Sequence, residues 1–483
     1  MLIKELIVGV ELKENLDLEV YEIEVSNLTL DSKKCSEGSL FFAIRGERDD
    51  GSNYVADAQA LGAVCIVTEA RTNLLINQII VKNVREAMAQ MASNFYYNAH
   101  KELKIIGLTG TNGKTTTCKM ISEVLKRAGK SVAVFGTLGV FINDRELPSE
   151  LTTPDPIELH RLFQICKLAG VEYVVMEVSA HALALSKVKG IKFEVVAFTN
   201  FTQDHLDFFG TMENYAKAKR KLFSPEYSVF QVINTDDDFG ISITNETKVP
   251  FATYGLKNPS DVFAIDGEAT HGIKCIVNCF DDIFELKCPI SGDFNIYNAL
   301  CAVTVCRLLS VDTMTIIEAF ASMQEVKGRF NVIGSQKRVI IDYAHTPDGL
   351  KNLLTSARSL TEGRLICVFG CGGNRDAKKR SIMGRISAEY ADFTVITSDN
   401  PRYEEPLSII SQIESGHKEI SSDYITIIDR ASAIAYAVTT ARDQDVVVIA
   451  GKGHEPYIEE KGVKRPYSDK AEVMEILGRL NRE

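Results

Sequence analysis

Residues 104–117, KIIGLTGTNGKTTT, join an apolar strand to a helix through a glycine-rich loop. Gly110 and Gly113 allow backbone N–H groups to turn toward phosphate oxygens, and the first turn of the helix adds partial positive charge. Lys114 can reach β- and γ-phosphates, and the Thr115 hydroxyl can bind Mg²⁺. The segment therefore predicts a nucleotide-binding α/β domain.

The loop is a variant of the common phosphate-binding pattern, in which four residues separate a first glycine from Gly-Lys. Leu108 occupies the position of that first glycine. A glycine-rich turn before a helix, without a nucleotide, is the alternative interpretation. The order of strand, Gly-Lys-Thr and helix favours nucleotide binding.

Apolar strands alternate with helices from Lys101 onward, which is typical of parallel sheets buried on both faces. The helix after Lys114 is expected to end near Gly129. A second α/β run begins near residue 330, so we predict an N-terminal domain (1–98), a middle domain (99–328) and a C-terminal domain (329–483). The predicted strands of the two larger domains are KIIGLT, SVAVF, EYVVMEV, FEVVAFT and VFQVI, then RVIIDYA, RLICVFG, ADFTVITS and DVVVIAG.

The net charge of −11 and the pI near 5.4 argue against a nucleic-acid partner. No apolar run approaches the roughly 20 residues of a membrane span, and the first segment, MLIKELIVGVELKENL, is too acidic for a signal peptide. The eleven cysteines lack paired metal-ligand spacing. These features predict a cytoplasmic protein with reduced thiols that does not bind membranes.

GTNGKTTT resembles the ATP loop of the Mur ligase family, whose members build the peptide of bacterial peptidoglycan. Several spaced motifs in one order are more specific than any one of them, and the resemblance spans nearly the whole chain. It implies an α/β fold of three domains, with a central P-loop ATPase-type parallel sheet and a C-terminal Rossmann-like domain. The other matching segments are TTP (152–154), MEVSAHAL (176–183), TNFTQDHLDFFG (199–210), YAKAKRKLF (215–223), DFNIYNAL (293–300), GRF (328–330), DYAHTPDGL (342–350), GCGGNRD (370–376), DNPR (399–402) and GKGHE (451–455).

The resemblance implies an ATP-dependent amide ligase that adds meso-2,6-diaminopimelate to UDP-MurNAc-L-Ala-D-Glu. The D-glutamate carboxylate is expected to form an acyl phosphate with ATP, from which the incoming amine displaces phosphate. A monomer that uses ATP and Mg²⁺ is expected. The alternatives among enzymes are the same ligase type adding L-lysine or another diamino acid, MurF, and a polyglutamate-forming ligase. The alternative outside enzymes is a catalytically idle NTP-binding regulator.

For the nucleotide end, the resemblance assigns catalytic roles to Lys114, Glu177, His205 and Lys219. Thr115, Glu177 and His205 would hold Mg²⁺, and CO₂ would carbamylate Lys219 to N6-carboxylysine. The implied ATP-binding residues are Gly110, Thr111, Asn112, Gly113, Lys114, Thr115, Thr116, Asn295, Arg329 and Asp342.

Without the resemblance, three of these positions have plainer interpretations. His205, in a polar loop, would be a solvated surface residue. The basic residues of YAKAKRKLF, Lys219 included, would form a solvated helix face. Asn295 would be the N-cap of a helix that begins IYNALCAV.

The N-terminal domain is expected to hold the uridine end of the second substrate, and the middle domain its muramyl peptide. The chain departs from the family pattern here, because Leu185 and Lys187 replace a common Gln and Arg, and Ala180 replaces a frequent Ser. Lys187 keeps a charge but lacks the bidentate geometry of arginine. The implied contacts are Ser32, Arg45, Gly46, Thr152, Thr153, Ser179 and Lys187.

The DNPR segment follows the predicted strand ADFTVITS and therefore lies at the carboxyl edge of a sheet, where ligands of open α/β sheets bind. A charged surface loop is the plain interpretation of its arginine. The resemblance implies instead that Arg402 pairs with the distal carboxylate of meso-diaminopimelate, since ligases that add L-lysine lack this arginine. The implied contacts of the amino acid are Arg375, Asp399, Asn400, Pro401, Arg402, Gly451 and Glu455.

Overall fold

A computed structural model describes residues 1–46, 49–149, 151–334 and 337–480 as three successive α/β units, each with a sheet of its own. We call them the N-terminal, middle and C-terminal units. Short 3₁₀ helices at Ser32–Lys34, Gly51–Tyr54, Ala99–Glu102 and Lys221–Phe223 supplement the elements given below.

The N-terminal unit is a small parallel sheet with short helices around it. Its strands are β1 (Asn27–Thr29), β2 (Ser39–Phe42), β3 (Ala63–Thr68) and β4 (Asn77–Ile80), and its helices are α1 (Ile3–Leu6), α2 (Leu18–Tyr21), α3 (Val55–Ala60) and α4 (Val84–Phe95). The four strands are parallel neighbours in the order β1-β2-β3-β4. Helix α4 packs its Met88 and Met91 into the core against the apolar face of this sheet.

The middle unit contains the largest sheet. Its strands are β5 (Lys104–Thr109), β6 (Val132–Gly136), β7 (Gly139–Ile142), β8 (Arg145–Leu147), β9 (Tyr173–Glu177), β10 (Phe193–Phe198), β11 (Ser228–Asn234), β12 (Phe251–Gly255), β13 (Val262–Glu268), β14 (Ile273–Cys279) and β15 (Asp282–Cys288). Its helices are α5 (Lys114–Arg127), α6 (Pro156–Leu168), α7 (Ala180–Ala184), α8 (Leu206–Phe209), α9 (Met212–Arg220), α10 (Asp238–Glu246), α11 (Phe294–Leu308) and α12 (Thr313–Ala321).

The strands of the middle unit form one sheet in the order β15-β14-β13-β12-β11-β10-β5-β9-β6-β7-β8. The central part from β13 to β6 is parallel, and antiparallel strands extend both ends. The parallel strands are mostly apolar because helices cover both faces, with α5 and α11 on one side and α6 on the other. This arrangement brings the carboxyl ends of β5, β9 and β10 side by side.

The C-terminal unit is a second open sheet. Its strands are β16 (Asn331–Ile333), β17 (Arg338–Asp342), β18 (Leu365–Phe369), β19 (Phe393–Ile396), β20 (Tyr424–Thr426), β21 (Val446–Ala450), β22 (Tyr457–Glu460) and β23 (Val463–Pro466). Its helices are α13 (Pro347–Arg358), α14 (Lys378–Tyr390), α15 (Pro406–Lys418), α16 (Arg430–Thr440) and α17 (Asp469–Leu480). The sheet order is β16-β17-β21-β18-β19-β20, parallel except for β16, while β22 and β23 form a separate hairpin.

The strands predicted from apolar runs are confirmed as β5, β6, β9, β10, β11, β17, β18, β19 and β21. The helix after the glycine-rich loop ends at Arg127, two residues before Gly129. All eleven cysteines are buried and free. In the part of the chain that the structure describes, no helix is long and apolar enough to cross a membrane.

Candidate active site

A cavity of about 1780 Å³ opens between the middle and C-terminal units, at the carboxyl edges of both sheets. The middle unit contributes the glycine-rich loop, the end of β9 and the loop after β10. The C-terminal unit contributes the loops after β17, β18, β19 and β21. Among the described residues, those of the N-terminal unit do not line this cavity.

The glycine-rich loop is held in a conformation that needs its glycines. Gly113 precedes α5 with a φ of +87°, in the left-handed region that favours glycine. A Cβ on Gly110 would overlap the Thr199 hydroxyl, and one on Gly113 would overlap the Asn298 amide.

Asn112 N donates to Asn200 Oδ1 (2.8 Å), which ties the loop to the segment after β10. Thr111 Oγ1 donates to Thr202 O (3.1 Å), and Thr116 is buried in the first turn of α5.

Lys114 lies along the inside of the loop. Its Nζ donates to Gly110 O (2.9 Å) and Thr111 O (2.8 Å). Burial lowers the pKa of Lys114, while the nearby Glu177 carboxylate acts to raise it. A cation on a loop of backbone donors at a helix start is an arrangement that binds nucleotide phosphates.

Thr115 and Glu177 are in direct contact. Thr115 Oγ1 donates to Glu177 Oε1 (2.9 Å), and Arg329 of the C-terminal unit donates from Nη2 to Thr115 Oγ1 (3.0 Å). Thr137 N donates to Glu177 Oε1 (2.9 Å), which orients the buried carboxylate. A hydroxyl and one carboxylate beside a phosphate loop fit Mg²⁺, which takes much of its coordination from water and substrate phosphates. In the described ranges, no group of three or more His, Cys, Asp or Glu side chains is arranged to hold a metal ion.

His205 lines the same cavity but contacts a different group. Its Nε2 lies 3.3 Å from Asp204 Oδ2, and its ring meets the His181 ring edge-on at 4.6 Å between centroids. Burial lowers the pKa of His205 to about 3, so the imidazole is neutral and able to bind a metal ion. Within the described residues the structure shows no hydrogen bond between His205 and Thr115 or Glu177. His205 is partly buried, with about a third of its side chain exposed, so it is not a fully solvated surface residue.

Lys219 is almost fully buried on α9, with 1% of its surface exposed. Its Nζ donates to Gly110 O (2.7 Å) and lies 4.7 Å from the centre of the Tyr215 ring. Burial, reinforced by the Lys114 cation, lowers the pKa of Lys219 well below its ordinary value. The Asp204 and Asp237 carboxylates act in the opposite direction on the pKa of this amine. A lowered pKa favours the neutral amine, which is the form that reacts with CO₂. The prediction of a solvated face is wrong for this residue.

Asn295 is not the N-cap of α11. The helix begins at Phe294, so Asn295 is its second residue, and its Nδ2 donates to Ser291 O (2.6 Å). Its Oδ1 accepts from Asn298 Nδ2 (2.8 Å), and Asn298 rather than Asn295 lines the cavity. Asp342 holds the nearby turn by accepting from Phe330 N and Ala344 N, both at 2.7 Å.

The residues assigned to the muramyl peptide lie beside Glu177. Thr153 Oγ1 donates to Glu177 O (2.9 Å), and Ser179 N donates to Thr153 Oγ1 (3.1 Å). Thr152 Oγ1 lies 3.2 Å from Thr137 Oγ1. Lys187 Nζ forms an ion pair with Asp155 at 2.8 Å and is 9% exposed. These four residues line the cavity, so the structure brings them together with the phosphate loop.

The residues assigned to the uridine end lie apart from that cavity, in the N-terminal unit. Ser32 is buried at the start of a 3₁₀ helix. Gly46 N donates to Asp49 O (2.7 Å), and Arg45 is mostly exposed, 3.8 Å from Asp50.

Three loops of the C-terminal unit converge where the amino acid was predicted to bind. Asn400 Nδ2 donates to Glu455 Oε2 (2.9 Å). Arg402 Nη1 donates to Gly373 O (2.8 Å), in the loop that carries Arg375. The cavity is lined here by Arg375, Asp399, Asn400, Arg402, Gly451 and Glu455, whereas Pro401 lies behind it with its carbonyl against Gly373.

Sequence reasoning missed two groups at this site. Lys452 is fully buried and donates from Nζ to Asn400 Oδ1 (2.9 Å) and Glu455 Oε2 (3.0 Å).

Asp204 lies 3.7 Å from Lys379 Nζ and 3.8 Å from His345 Nε2, both of the C-terminal unit. Burial acts to raise the pKa of Asp204. The pKa nevertheless lies below its ordinary range because His205, Lys379 and His345 favour the charged carboxylate. Lys452 lies within the motif GKGHE and Asp204 within TNFTQDHLDFFG. These motifs are the sequence signal by which the two residues could be found.

Sequence families match all three units. Residues 24–96 match the Mur ligase family, catalytic domain; residues 108–306 match the Mur ligase middle domain; and residues 328–453 match the Mur ligase, glutamate ligase domain. The chain belongs to the Mur ligase family. The Mur ligase fold of three α/β units, predicted from the motifs, is thereby confirmed.

Individual Mur ligases are similar to this chain over most of its length. The UDP-N-acetylmuramoyl-L-alanyl-D-glutamate--2,6-diaminopimelate ligase of Caldanaerobacter subterraneus subsp. tengcongensis is 42% identical over 462 residues, which cover 94% of this chain and 95% of the relative. A solved structure of a ligase with the same name is 28% identical with a TM-score of 0.68, and covers 100% of this chain and 99% of that chain. The MurF ligase of Thermotoga maritima in complex with ADP has a TM-score of 0.63 at 21% identity, over 94% of this chain and 97% of its own, a likeness of fold alone.

Proposed function

We propose that the protein is an ATP-dependent ligase that adds meso-2,6-diaminopimelate to UDP-MurNAc-L-Ala-D-Glu during synthesis of peptidoglycan precursors. One observation carries the proposal: the phosphate loop and the cluster of Arg375, Arg402 and Glu455 line the same cavity from opposite units. The names of the relatives at about 40% identity support the same activity.

At the nucleotide end, the backbone of the glycine-rich loop and Lys114 bind the phosphates of ATP. Thr115, Glu177 and His205 would hold Mg²⁺ when it is bound. Mg²⁺ would neutralise charge that develops on the phosphate oxygens.

Arg329, which donates to the Thr115 hydroxyl, adds a positive charge near the transferred phosphoryl group. Asn298, oriented by Asn295, and Asp342 complete the nucleotide site from the base and ribose side.

Lys219 is the proposed site of a CO₂-derived carbamate. Its position on the far side of Gly110 would place an anion next to the phosphate loop, where it could orient the metal ion. The burial of this amine and its lowered pKa support the assignment.

The D-glutamate carboxylate is placed by Thr152, Thr153, Ser179 and Lys187, next to Glu177. It attacks the γ-phosphorus of ATP to form an acyl phosphate, with ADP as the leaving group. The diaminopimelate amine then attacks the acyl carbon and displaces phosphate. Lys187 pairs with Asp155 in this structure, so substrate binding requires the lysine to share or exchange that partner. Ser32, Arg45 and Gly46 bind the uridine end on the N-terminal unit, which is the domain of residues 1–98.

The amino acid lies across the three loops of the domain of residues 329–483. Arg402 binds its distal carboxylate and Glu455 its distal amine. The proposal includes a cytoplasmic location and action as a monomer.

Phosphate release tests this function and separates it from the alternatives. We expect Mg²⁺-dependent release of phosphate from ATP only when UDP-MurNAc-L-Ala-D-Glu and meso-diaminopimelate are both present. A MurF-type ligase would require a tripeptide acceptor and a D-alanyl dipeptide, and a regulator would release no phosphate with either pair. Release that is independent of the amino acid would contradict the proposal.

A further inference from the structure

The hairpin β22–β23 lies directly behind the loop of residues 399–402. Arg402 N donates to Glu459 O (3.0 Å), and Lys461 N donates to Arg402 O (2.6 Å). Glu459 N donates to Asn400 Oδ1 (2.9 Å). Arg402 has a φ of +52°, a left-handed conformation that a residue with a side chain keeps only when its surroundings hold it. The hairpin is therefore what fixes the backbone of Arg402.

The side chain of Glu459 holds the guanidinium from the same side. Glu459 Oε2 lies 3.4 Å from Arg402 Nε, and the two side chains are only 21% and 20% exposed. Gly373 O accepts from Nη1 (2.8 Å). Nη2 makes no hydrogen bond to any residue within the described ranges. Arg402 lines the cavity and Glu459 does not, so the carboxylate acts on the arginine from outside the binding space.

We infer that Glu459 is a positioning residue that fixes the guanidinium of Arg402 for the distal carboxylate of the incoming amino acid. The inference rests on the ligase function proposed above. Arginine recognises a carboxylate through a planar fork of donors, and that recognition is strong only when the plane is correctly oriented. With Nε against Glu459 and Nη1 against Gly373, the guanidinium is ordered before the ligand arrives, which reduces the entropy lost on binding.

Glu459→Gln is the direct test, because glutamine keeps the size and an oxygen acceptor but removes the charge. We expect the KM for meso-diaminopimelate to rise about 10-fold, since a small misplacement of a positioning group costs up to about 100-fold. The preference for meso-diaminopimelate over L-lysine should fall by the same factor, because L-lysine has no distal carboxylate. The KM values for ATP and for UDP-MurNAc-L-Ala-D-Glu should be unchanged.

A double-mutant comparison shows whether Glu459 acts through Arg402. In the Arg402→Ala background, Glu459→Gln should produce no further change in the preference between the two amino acids. Glu460→Gln is the matched control, since it removes the same charge from the adjacent residue of β22. Glu459→Asp, which keeps the charge on a shorter side chain, should retain more of the preference than Glu459→Gln, and it remains usable if the glutamine variant does not fold.

Two results would overturn the inference. One is an unchanged preference in a folded Glu459→Gln variant with normal ATP-dependent turnover. The other is an equal loss of activity with both amino acids, which a purely structural role would produce. Failure of the wild-type protein to use meso-diaminopimelate at all would instead overturn the proposed function, so the two failures are distinguishable.

Discussion

Replacing Lys219 by alanine is expected to lower kcat about 100-fold, the upper end of the range for groups that orient a bound metal ion. The substitution removes the buried amine beside Gly110 and, with it, the proposed carbamate. Small carboxylates such as formate or acetate should restore part of the activity by supplying the missing anion. The KM for ATP should change little, because Lys114 and the loop backbone remain in place.

Lys217→Ala is the matched control for this experiment. Lys217 lies on the same helix but is exposed, so its loss should leave kcat within about two-fold of wild type, as is usual for surface changes. A ¹³C NMR carbamate signal in wild-type protein supplied with ¹³CO₂, and absent from Lys219→Ala, would identify the modified residue. An alanine variant with normal kcat would refute the assignment of the carbamate to a catalytic role.

Arg402→Ala is expected to reduce kcat/KM for meso-diaminopimelate by roughly 30-fold to several-thousand-fold. Removing one member of a buried, hydrogen-bonded charge pair costs about 2–5 kcal/mol, and about 1.4 kcal/mol corresponds to a factor of ten. L-Lysine has the distal amine but no distal carboxylate, so the low kcat/KM for L-lysine should change much less. The preference between the two amino acids should therefore largely disappear, while the KM for ATP stays the same.

Arg465→Ala controls for loss of positive charge near this site. Arg465 is exposed on β23 of the adjacent hairpin, and its removal should leave the preference unchanged. A wild-type protein that used L-lysine as well as meso-diaminopimelate would show that Arg402 does not select the substrate, and would favour the interpretation of a charged loop residue.

The parallel strands and the loops at their ends could be predicted from the sequence because both are local signals. A buried parallel strand is a continuous apolar run, and its carboxyl end is marked by the glycine-rich or polar segment that follows. This reasoning placed Glu177, Arg375, Arg402 and Glu455 at strand ends, and the structure brings all four to one cavity.

The antiparallel strands were missed because they alternate and depend on pairing. In β14 the buried and exposed residues alternate, as do those of β15, so neither shows a continuous apolar run. The hairpin β22–β23 is short and mostly polar, and only its pairing with the 399–402 loop reveals its role. Local patterns contain no information about such partners.

Buried polar residues were the hardest to predict. Lys219 and Lys452 are charged in the sequence and would ordinarily be placed on the surface. Their burial depends on neighbours far away in the chain, Gly110 for Lys219 and Asn400 for Lys452. Asn295 was predicted to be an N-cap because the helix start was placed two residues late.

The most direct test of the central claim is the mass of the product formed from UDP-MurNAc-L-Ala-D-Glu and ATP with an equimolar panel of amino acids. The panel would contain meso-diaminopimelate, L-lysine, L-ornithine and D-alanyl-D-alanine, with ADP and phosphate measured in parallel. We predict a single nucleotide tripeptide that contains meso-diaminopimelate, with one ADP released for each tripeptide formed. A product containing L-lysine in comparable amount, or ATP hydrolysis without any tripeptide, would contradict the account.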